Sequence, residues 1–338
     1  MEIFTFTVQA FNQENTVIEA LESIKYQILQ YGKKYSLKYS LIFADDCSLD
    51  RTAEYAVKWI EIHSNLFFSI KTIIHTVNKG IVKTYREIIR NVEGKYLKEM
   101  SGDDVIASCD ILGRCCELGN NEIFIFPQLH IKKNSIRLAD SAYYKRYFYD
   151  MKHGNQKEKM RKRFRMGILA FNSTSILYCI TILNKLGCLD YLEKFDYVED
   201  APVLSVILDS YRCLDFKYFS QPVYLYRINS SSVTHVKETN NKVLRDISVL
   251  MEDYAKNETV LWKKYFHSKK KAYSGKRCFP LYSVIDRVYL CWIFLYAAVI
   301  TRKAYVKFIC GMKKSVRKEN VYFTYIKKES RLFLKKIK

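Results

Sequence analysis

Three acidic pairs and one histidine have the residue types needed to work on a charged small molecule: Asp45-Asp46, Asp103-Asp104, Glu199-Asp200 and His235. Neighbouring carboxylates offer hard oxygen ligands that suit Mg2+ or Mn2+, and a carboxylate away from a metal can take a proton from a hydroxyl. A histidine can add a nitrogen ligand, although a lone His is more often an ordinary surface residue. Each pair also has a plain structural use. Asp46 can cap the turn that follows it, and Asp200-Ala201-Pro202 reads as a helix start with Pro in its first turn. The ten cysteines include no Cys-x-x-Cys spacing, so reduced, buried thiols are expected rather than a zinc site.

Position decides between these uses. Residues 3–8, 39–44, 68–74 and 96–100 read as buried strands. Between them, helices are expected over 15–30, capped by Asn15, and over 52–62 and 80–92. This alternation predicts a mostly parallel sheet flanked by helices. In such sheets ligands gather beyond the carboxyl ends of the strands, where Asp45-Asp46 and Asp103-Asp104 fall. Further on, the pattern gives a strand over 122–126, a basic segment over 157–165, a helix over 176–186 and another starting at Asp200 or Ala201. The chain changes character near residue 237. Residues 1–237 are expected to form the catalytic domain, and 238–338 a helical, basic C-terminal region with helices over 242–266 and 284–338.

Read together, four stretches resemble the inverting glycosyltransferases of family 2, which have the GT-A fold, and the resemblance covers roughly residues 1–235. They are Gln9-Ala10-Phe11-Asn12; Asp45-Asp46-Cys47-Ser48-Leu49-Asp50-Arg51-Thr52, close to the family's Asp-Asp-Gly-Ser-x-Asp-x-Thr; Ser101-Gly102-Asp103-Asp104, in the place of the Asp-x-Asp metal motif; and Glu199-Asp200 followed by Tyr226-Arg227. The resemblance implies a GT-A (Rossmann-like) sheet, a nucleotide-sugar donor, expected to be a UDP-sugar, and Mn2+ or Mg2+. Phe11 would stack on the base and Asp46 would accept its imide N–H, with Gln9 and Asn12 beside them. Asp104 would meet the metal, and Asp103 the ribose or the metal's water. Asp200 is the expected base, with Glu199 as an acceptor contact or as the base itself. Asn78-Lys79-Gly80 resembles the family's Asn-x-Gly, so Asn78, Gly80 and Lys83 are expected near the donor, and His235 near the diphosphate or metal. Cys47 departs from the pattern at its Gly, and the run Val82 to Arg86 departs from the sugar-pocket residues.

The net charge of +21 draws nucleic acid, anionic lipid or phosphorylated small molecules toward the surface. No nucleic-acid-binding motif accompanies it, and clustered acids would repel a phosphate backbone, so no nucleic acid is expected as a partner. A nucleotidyltransferase would open with a Gly-rich loop, which residues 9–15 lack; a non-catalytic nucleotide-binding member of the family is a third reading. The N-terminus reads as a first strand and not as a leader. The apolar run 289–300 falls short of the roughly 20 residues of a bilayer span, and the basic, aromatic stretch 280–338 has the composition of an interfacial helix. The expectation is a cytoplasmic enzyme on the inner face of a bacterial plasma membrane, extending a lipid-linked or cell-surface glycan as in capsule or O-antigen synthesis. The same tail could instead pack on the catalytic domain or pair two copies as a homodimer.

Overall fold

A computed structural model describes residues 2–169, 173–228, 237–256, 258–273 and 281–337. The strands, in chain order, are β1 (Glu2–Ala10), β2 (Leu37–Asp45), β3 (Ser69–Ile74), β4 (Tyr96–Ser101), β5 (Val105–Ile106), β6 (Glu122–Ile125), β7 (Gln128–Lys132), β8 (Ser135–Leu138), β9 (Ile176–Cys179), β10 (Asp215–Tyr218) and β11 (Tyr224–Arg227). Seven of them form the main sheet in the order β10-β6-β9-β4-β1-β2-β3, with β9 antiparallel to β4 and β6 and the other pairings parallel. The central strands are buried on both faces, as a parallel sheet sandwiched by helices requires, although β1 carries Thr5 and Thr7 on one of them. Phe4, Phe6 and Val8 of β1 and Leu41 and Phe43 of β2 are fully buried. The helices Val17–Tyr31, Thr52–Ile62 and Ile81–Arg90 connect β1 to β2, β2 to β3 and β3 to β4. This is the expected GT-A arrangement.

Two sequence expectations need correction. The helix 17–31 starts after Thr16 with no side-chain cap, so Asn15 does not cap it. The helix expected over 176–186 is instead β9 followed by the short helix Ile180–Lys185. All four residues of β9 are buried between β4 and β6, and periodicity cannot distinguish so short an apolar run from a helix. Toward the C-terminus the expected helices are each divided: Lys237–Lys256 and Val260–Tyr273, then Leu281–Leu295, a π turn over Tyr296–Ile300 and Arg302–Lys336.

A second sheet, β5-β11-β7-β8, stands beside the Asp103-Asp104 loop, and the C-terminal helix Arg302–Lys336 lies against it. The contact is specific. Glu319 accepts from the Ser108 backbone N–H (2.9 Å) and hydroxyl (2.7 Å), Asn320 pairs with both backbone groups of Ile136, and the Tyr322 hydroxyl donates to the Ile106 carbonyl. Ile326 is fully buried on the same face, and Phe333 joins the core that holds β1. The inner face of the basic tail is therefore core, and its lysines point elsewhere. Ile326→Ala should lower stability by about 2–5 kcal/mol in denaturant unfolding, whereas Tyr325→Ala, exposed on the other face, should cost under about 1 kcal/mol.

Candidate active site

The loops after β1 and β2 are locked together. Asn12, in the left-handed region (φ 52°), accepts from the Leu49 N–H, and its own N–H donates to the Ser48 hydroxyl, both at 2.8 Å. Asp45 accepts from Ser48 N–H and hydroxyl, Asp50 from the N–H groups of Glu14 and Thr52, and the Thr52 hydroxyl from Gln13 N–H. These bonds explain the Ser, Asp and Thr of the second motif as loop braces. Cys47 adopts φ 64°, a conformation for which glycine is the unstrained choice, which gives the physical reason for a Gly at that place in the family pattern. Phe11, 44% exposed, stands at the rim, and Gln9 donates through Nε2 to the Ile81 carbonyl at the start of the helix Ile81–Arg90.

Asp46 follows the carboxyl end of β2. It is buried, and its carboxylate accepts from the N–H groups of Lys79 and Gly80 (both 2.8 Å) and contacts His75 Nδ1 (2.9 Å). It braces the Asn78–Gly80 turn. Gly80 has φ 88°, which only glycine adopts readily, and it directs the helix Ile81–Arg90, with exposed Lys83 in its first turn, toward the strand ends. Asn78 is exposed on the same turn.

The third motif is held from behind. Asp104 is 2% exposed, and its carboxylate accepts from the Tyr224 hydroxyl (2.7 Å) and the Arg227 N–H (2.6 Å). Burial, and then the charge of Asp103, pushes its carboxyl well above the usual range. The Arg227 guanidinium donates to the Asp103 carbonyl and pairs with Glu19. Gly102 packs so closely on Gln13 and Ala10 that a Cβ there would lie 2.5 Å from Gln13 Oε1. That amide oxygen is buried without a partner, an acceptor that the motif reading missed. Asp103 is half-buried and the more open of the pair.

Glu199 and Asp200 lie at the start of the helix Asp200–Asp209, both half-buried, with Asp200 accepting from the Ala201 N–H. Burial raises both carboxyls, and the charge of Asp200 adds to the rise of Glu199, to about 8. Glu99 of β4 faces the same place, raised by burial and by Asp200, and accepts from the Tyr85 and Tyr178 hydroxyls. Tyr226 ties the two halves together: burial, and then Asp104, Asp103, Asp200 and Glu199, push its phenol to about 12. Asp103 and Asp104 stand at the carboxyl end of β4, and Glu199 and Asp200 at the start of the helix Asp200–Asp209. His235 lies outside the described residues.

The family model described as glycosyl transferase family 2 matches residues 5–179, more than half of the chain and the part that carries β1 to β9. The chain belongs to glycosyl transferase family 2. Solved structures with the same fold include S. aureus TarS 1–349 in complex with UDP-GlcNAc, at 14% identity and TM-score 0.51, covering 96% of this chain and 84% of that one. Another is the mannosyltransferase PcManGT from Pyrobaculum calidifontis in complex with GDP-Man and Mn2+, at 12% identity and TM-score 0.50, covering 95% and 87%. A longer S. aureus TarS structure is matched over 80% of this chain and 43% of that one, at 15% identity and TM-score 0.49, so the chain spans less than half of it. No curated protein matches the sequence.

In this family 2 glycosyltransferase, among the described residues, no group of three or more metal-ligating side chains stands together. The donor set still fits a hard divalent ion, because Mg2+ and Mn2+ are commonly held by one or two carboxylates, with substrate phosphates and water completing the shell. Glu99, Gln13 and Tyr224 are the contributors that sequence reading missed. A charged Lys98-Glu99 pair inside an otherwise buried strand was the available signal. Carboxyls raised on folding favour the protonated form, so their stabilisation is fully present below the unfolded value of 4.5 for Glu199 and is lost as pH rises through about 8. The melting temperature without ligand should fall by several degrees between pH 5 and pH 9, and Glu199→Gln should flatten that fall; a wild-type curve rising over the same range would contradict the assignment.

Proposed function

We propose that the chain transfers a sugar from a nucleotide-sugar, with a UDP-sugar as the first candidate, to a hydroxyl of a lipid-linked or cell-surface glycan, with inversion at the anomeric carbon. The observation that carries this reading is the Asp103-Asp104 pair at the carboxyl end of β4, with Asp104 held by Tyr224 and Arg227, in a chain that belongs to glycosyl transferase family 2. The same fold holds UDP-GlcNAc in TarS 1–349 and GDP-Man with Mn2+ in PcManGT, which supports a nucleotide-sugar donor.

In the proposed reaction the acceptor oxygen forms a bond to the anomeric carbon as the bond to the diphosphate oxygen breaks. The electron pair leaves with the nucleoside diphosphate, and the acceptor proton passes to the Asp200 carboxylate. Burial raises the Asp200 carboxyl, and a raised carboxyl is a better base than an exposed aspartate. Phe11 at the rim offers its ring to the base, with Gln9 and Asn12 fixing the loop that carries it. Asn78, Gly80 and Lys83 face the donor phosphates from the start of their helix, whose free N–H groups favour an anion. A Mn2+ or Mg2+ ion held through Asp103 and Asp104, with His235 as a further ligand, would neutralise charge on the departing diphosphate.

The site would work beside a membrane, on the inner face of a bacterial plasma membrane. The stretch Tyr282–Ile300 is 19 residues long and, by length and composition, apolar enough to cross a bilayer, longer than the run seen in sequence. One side of it packs inward through Ile293 and Ala297, and Asp286 pairs with Lys269, which ties it to the body. Its outer side exposes Val284, Val288, Trp292, Leu295 and Val299 at helical spacing. That geometry supports a helix lying on the interface with its apolar ridge in the acyl boundary.

A thermal-shift and hydrolysis screen of UDP-, GDP-, dTDP- and CMP-sugars tests the donor. One nucleotide should stabilise the wild type only with Mn2+ or Mg2+, and Asp104→Ala should abolish this. Asp200→Asn should keep donor binding and lose about 10²–10⁴-fold in turnover. Binding of RNA or DNA with no response to any nucleotide-sugar would overturn the reading in favour of a nucleic-acid-binding protein. In vesicle cosedimentation, Trp292→Glu should release the protein from anionic vesicles; unchanged binding would remove the interfacial role of the ridge.

A further inference from the structure

We propose that the groove between the C-terminal helix and the β7–β8 turn binds phosphate groups of the acceptor, and therefore that the acceptor is phosphate-bearing; this rests on the transferase reading above. The groove measures about 450 Å3 and is lined by Asn134 from the turn and by Thr324, Lys327, Lys328, Arg331 and Lys335 from the helix. It contains four cations and no carboxylate. Between Arg302 and Lys336 the only acids are Glu319, which is buried on Ser108, and Glu329. Among the described residues none of the four cations forms an ion pair, whereas Lys25, Lys58, Lys79 and Lys194 elsewhere all find carboxylates. Unpaired cations converging on a concave surface are the complement of a multiply charged anion, and phosphate oxygens are the matching acceptors. A neutral glycan has no use for them, and a flat bilayer cannot fill a groove.

The groove is built in part. Lys327 Nζ donates to Asn134 Oδ1 at 2.6 Å, which fixes the ammonium against the turn. Burial lowers its pKa; Glu19 opposes this, and the Arg331 and Arg227 charges add to it. A bound anion would offset both the burial and the repulsion.

The register places the groove next to the chemistry. Leu225 of β11 pairs with Val105 of β5, directly after Asp104, and Arg227 of β11 pairs with Ile131 of β7. With neighbouring strands about 4.8 Å apart, β7 lies about 10 Å from β5, and the turn that carries Asn134 begins just past the level of Arg227. Lys327 feels the charges of Glu19 and of Arg227, and the Arg227 guanidinium donates to the Asp103 carbonyl and to Glu19.

The test titrates inorganic tripolyphosphate into the full chain and compares two variants of equal charge change: Lys328→Glu/Arg331→Glu in the groove, and Lys313→Glu/Lys314→Glu about 20 Å back along the same helix. The groove variant should bind about tenfold more weakly and the control within about twofold of wild type. Both should keep wild-type hydrolysis of the nucleotide-sugar without acceptor. Equal weakening in both variants, or in neither, would overturn the proposal, because binding would then follow net charge alone. Lys328→Gln/Arg331→Gln repeats the comparison if the reversed charges impair folding. Two further probes separate the sources. Groove-dependent binding to neutral phosphatidylcholine vesicles carrying a prenyl diphosphate marks a lipid-linked acceptor, and displacement of tripolyphosphate by a soluble glycerol phosphate oligomer marks a polymer. Groove-dependent binding to phosphatidylglycerol vesicles with no prenyl diphosphate, undiminished by either probe, would make the site a head-group contact and sink the acceptor assignment. A wild type that binds tripolyphosphate in the groove but hydrolyses no nucleotide-sugar would refute the transferase reading and not the groove.

Discussion

A carboxylate taken out of water costs several kcal/mol unless hydrogen bonds and an opposite charge replace its hydration. Asp104 is such a group, and much of the second sheet answers its needs. Tyr224 and Arg227, three residues apart on β11, supply a hydroxyl and a backbone N–H to its two oxygens. Lys98, itself 1% exposed, stands over the Tyr224 ring at 4.5 Å, so a cation lies behind the phenol that donates to Asp104. The Arg227 side chain then carries the bracing outward to the Asp103 carbonyl and to Glu19 on the first helix. β5 is only two residues long, yet it is held by β11 on one side and by Ser23 and Tyr322 through its backbone groups. The loop between β4 and β5 is consequently fixed at both ends and along its length, which is what a site for a concentrated negative charge needs before any substrate arrives.

The same arrangement explains how several acids can share one cleft. Like charges a few ångströms apart raise one another's pKa, so proximity forces some of them to keep protons. Here burial does most of the raising, and the charge of Asp200 adds to that of Glu199 and Glu99. Raised carboxyls hold their protons to higher pH, which lowers the repulsion among them. The basic exterior does not relieve it. The excess Lys and Arg lie largely on outer helix faces, where they shape what approaches the protein and leave the cluster's local balance unaltered.

Much of this was legible in the sequence, for identifiable reasons. The first four strands and their helices followed from long apolar runs with period-2 or helical spacing, and the acidic pairs fell at strand ends because the turn after a parallel strand is where polar residues must go. Asp45, Ser48, Asp50 and Thr52 were legible as a motif, but their use as braces was not, since a motif does not reveal which atoms face the loop and which the ligand. Asp46 shows the same limit: the sequence does not reveal that its carboxylate takes the N–H groups of Lys79 and Gly80. β9 was lost because four buried apolar residues carry no period. Gln13 and Tyr224 act through tertiary placement, on partners 88 and 120 residues away, and Glu99 joins Tyr85 and Tyr178, 14 and 79 residues away; no local pattern records that.

The C-terminal helix shows why composition alone could not decide its role. Its sequence is basic and aromatic all along, yet Glu319, Asn320, Tyr322 and Ile326 form one face that completes the second sheet, while Lys327, Lys328, Arg331 and Lys335 stand on another. One element thus does two physical jobs. Its inner face fixes the strands that carry Asp104 and Arg227, and its outer face sets the charge that meets a partner. The two are coupled through Arg227, whose guanidinium lies 5.7 Å from the Phe323 ring of the helix while its backbone N–H holds Asp104. Whatever occupies the outer face therefore bears on the same rigid body as the acidic loop, and positioning an acceptor on that face also sets its distance from the reacting centre.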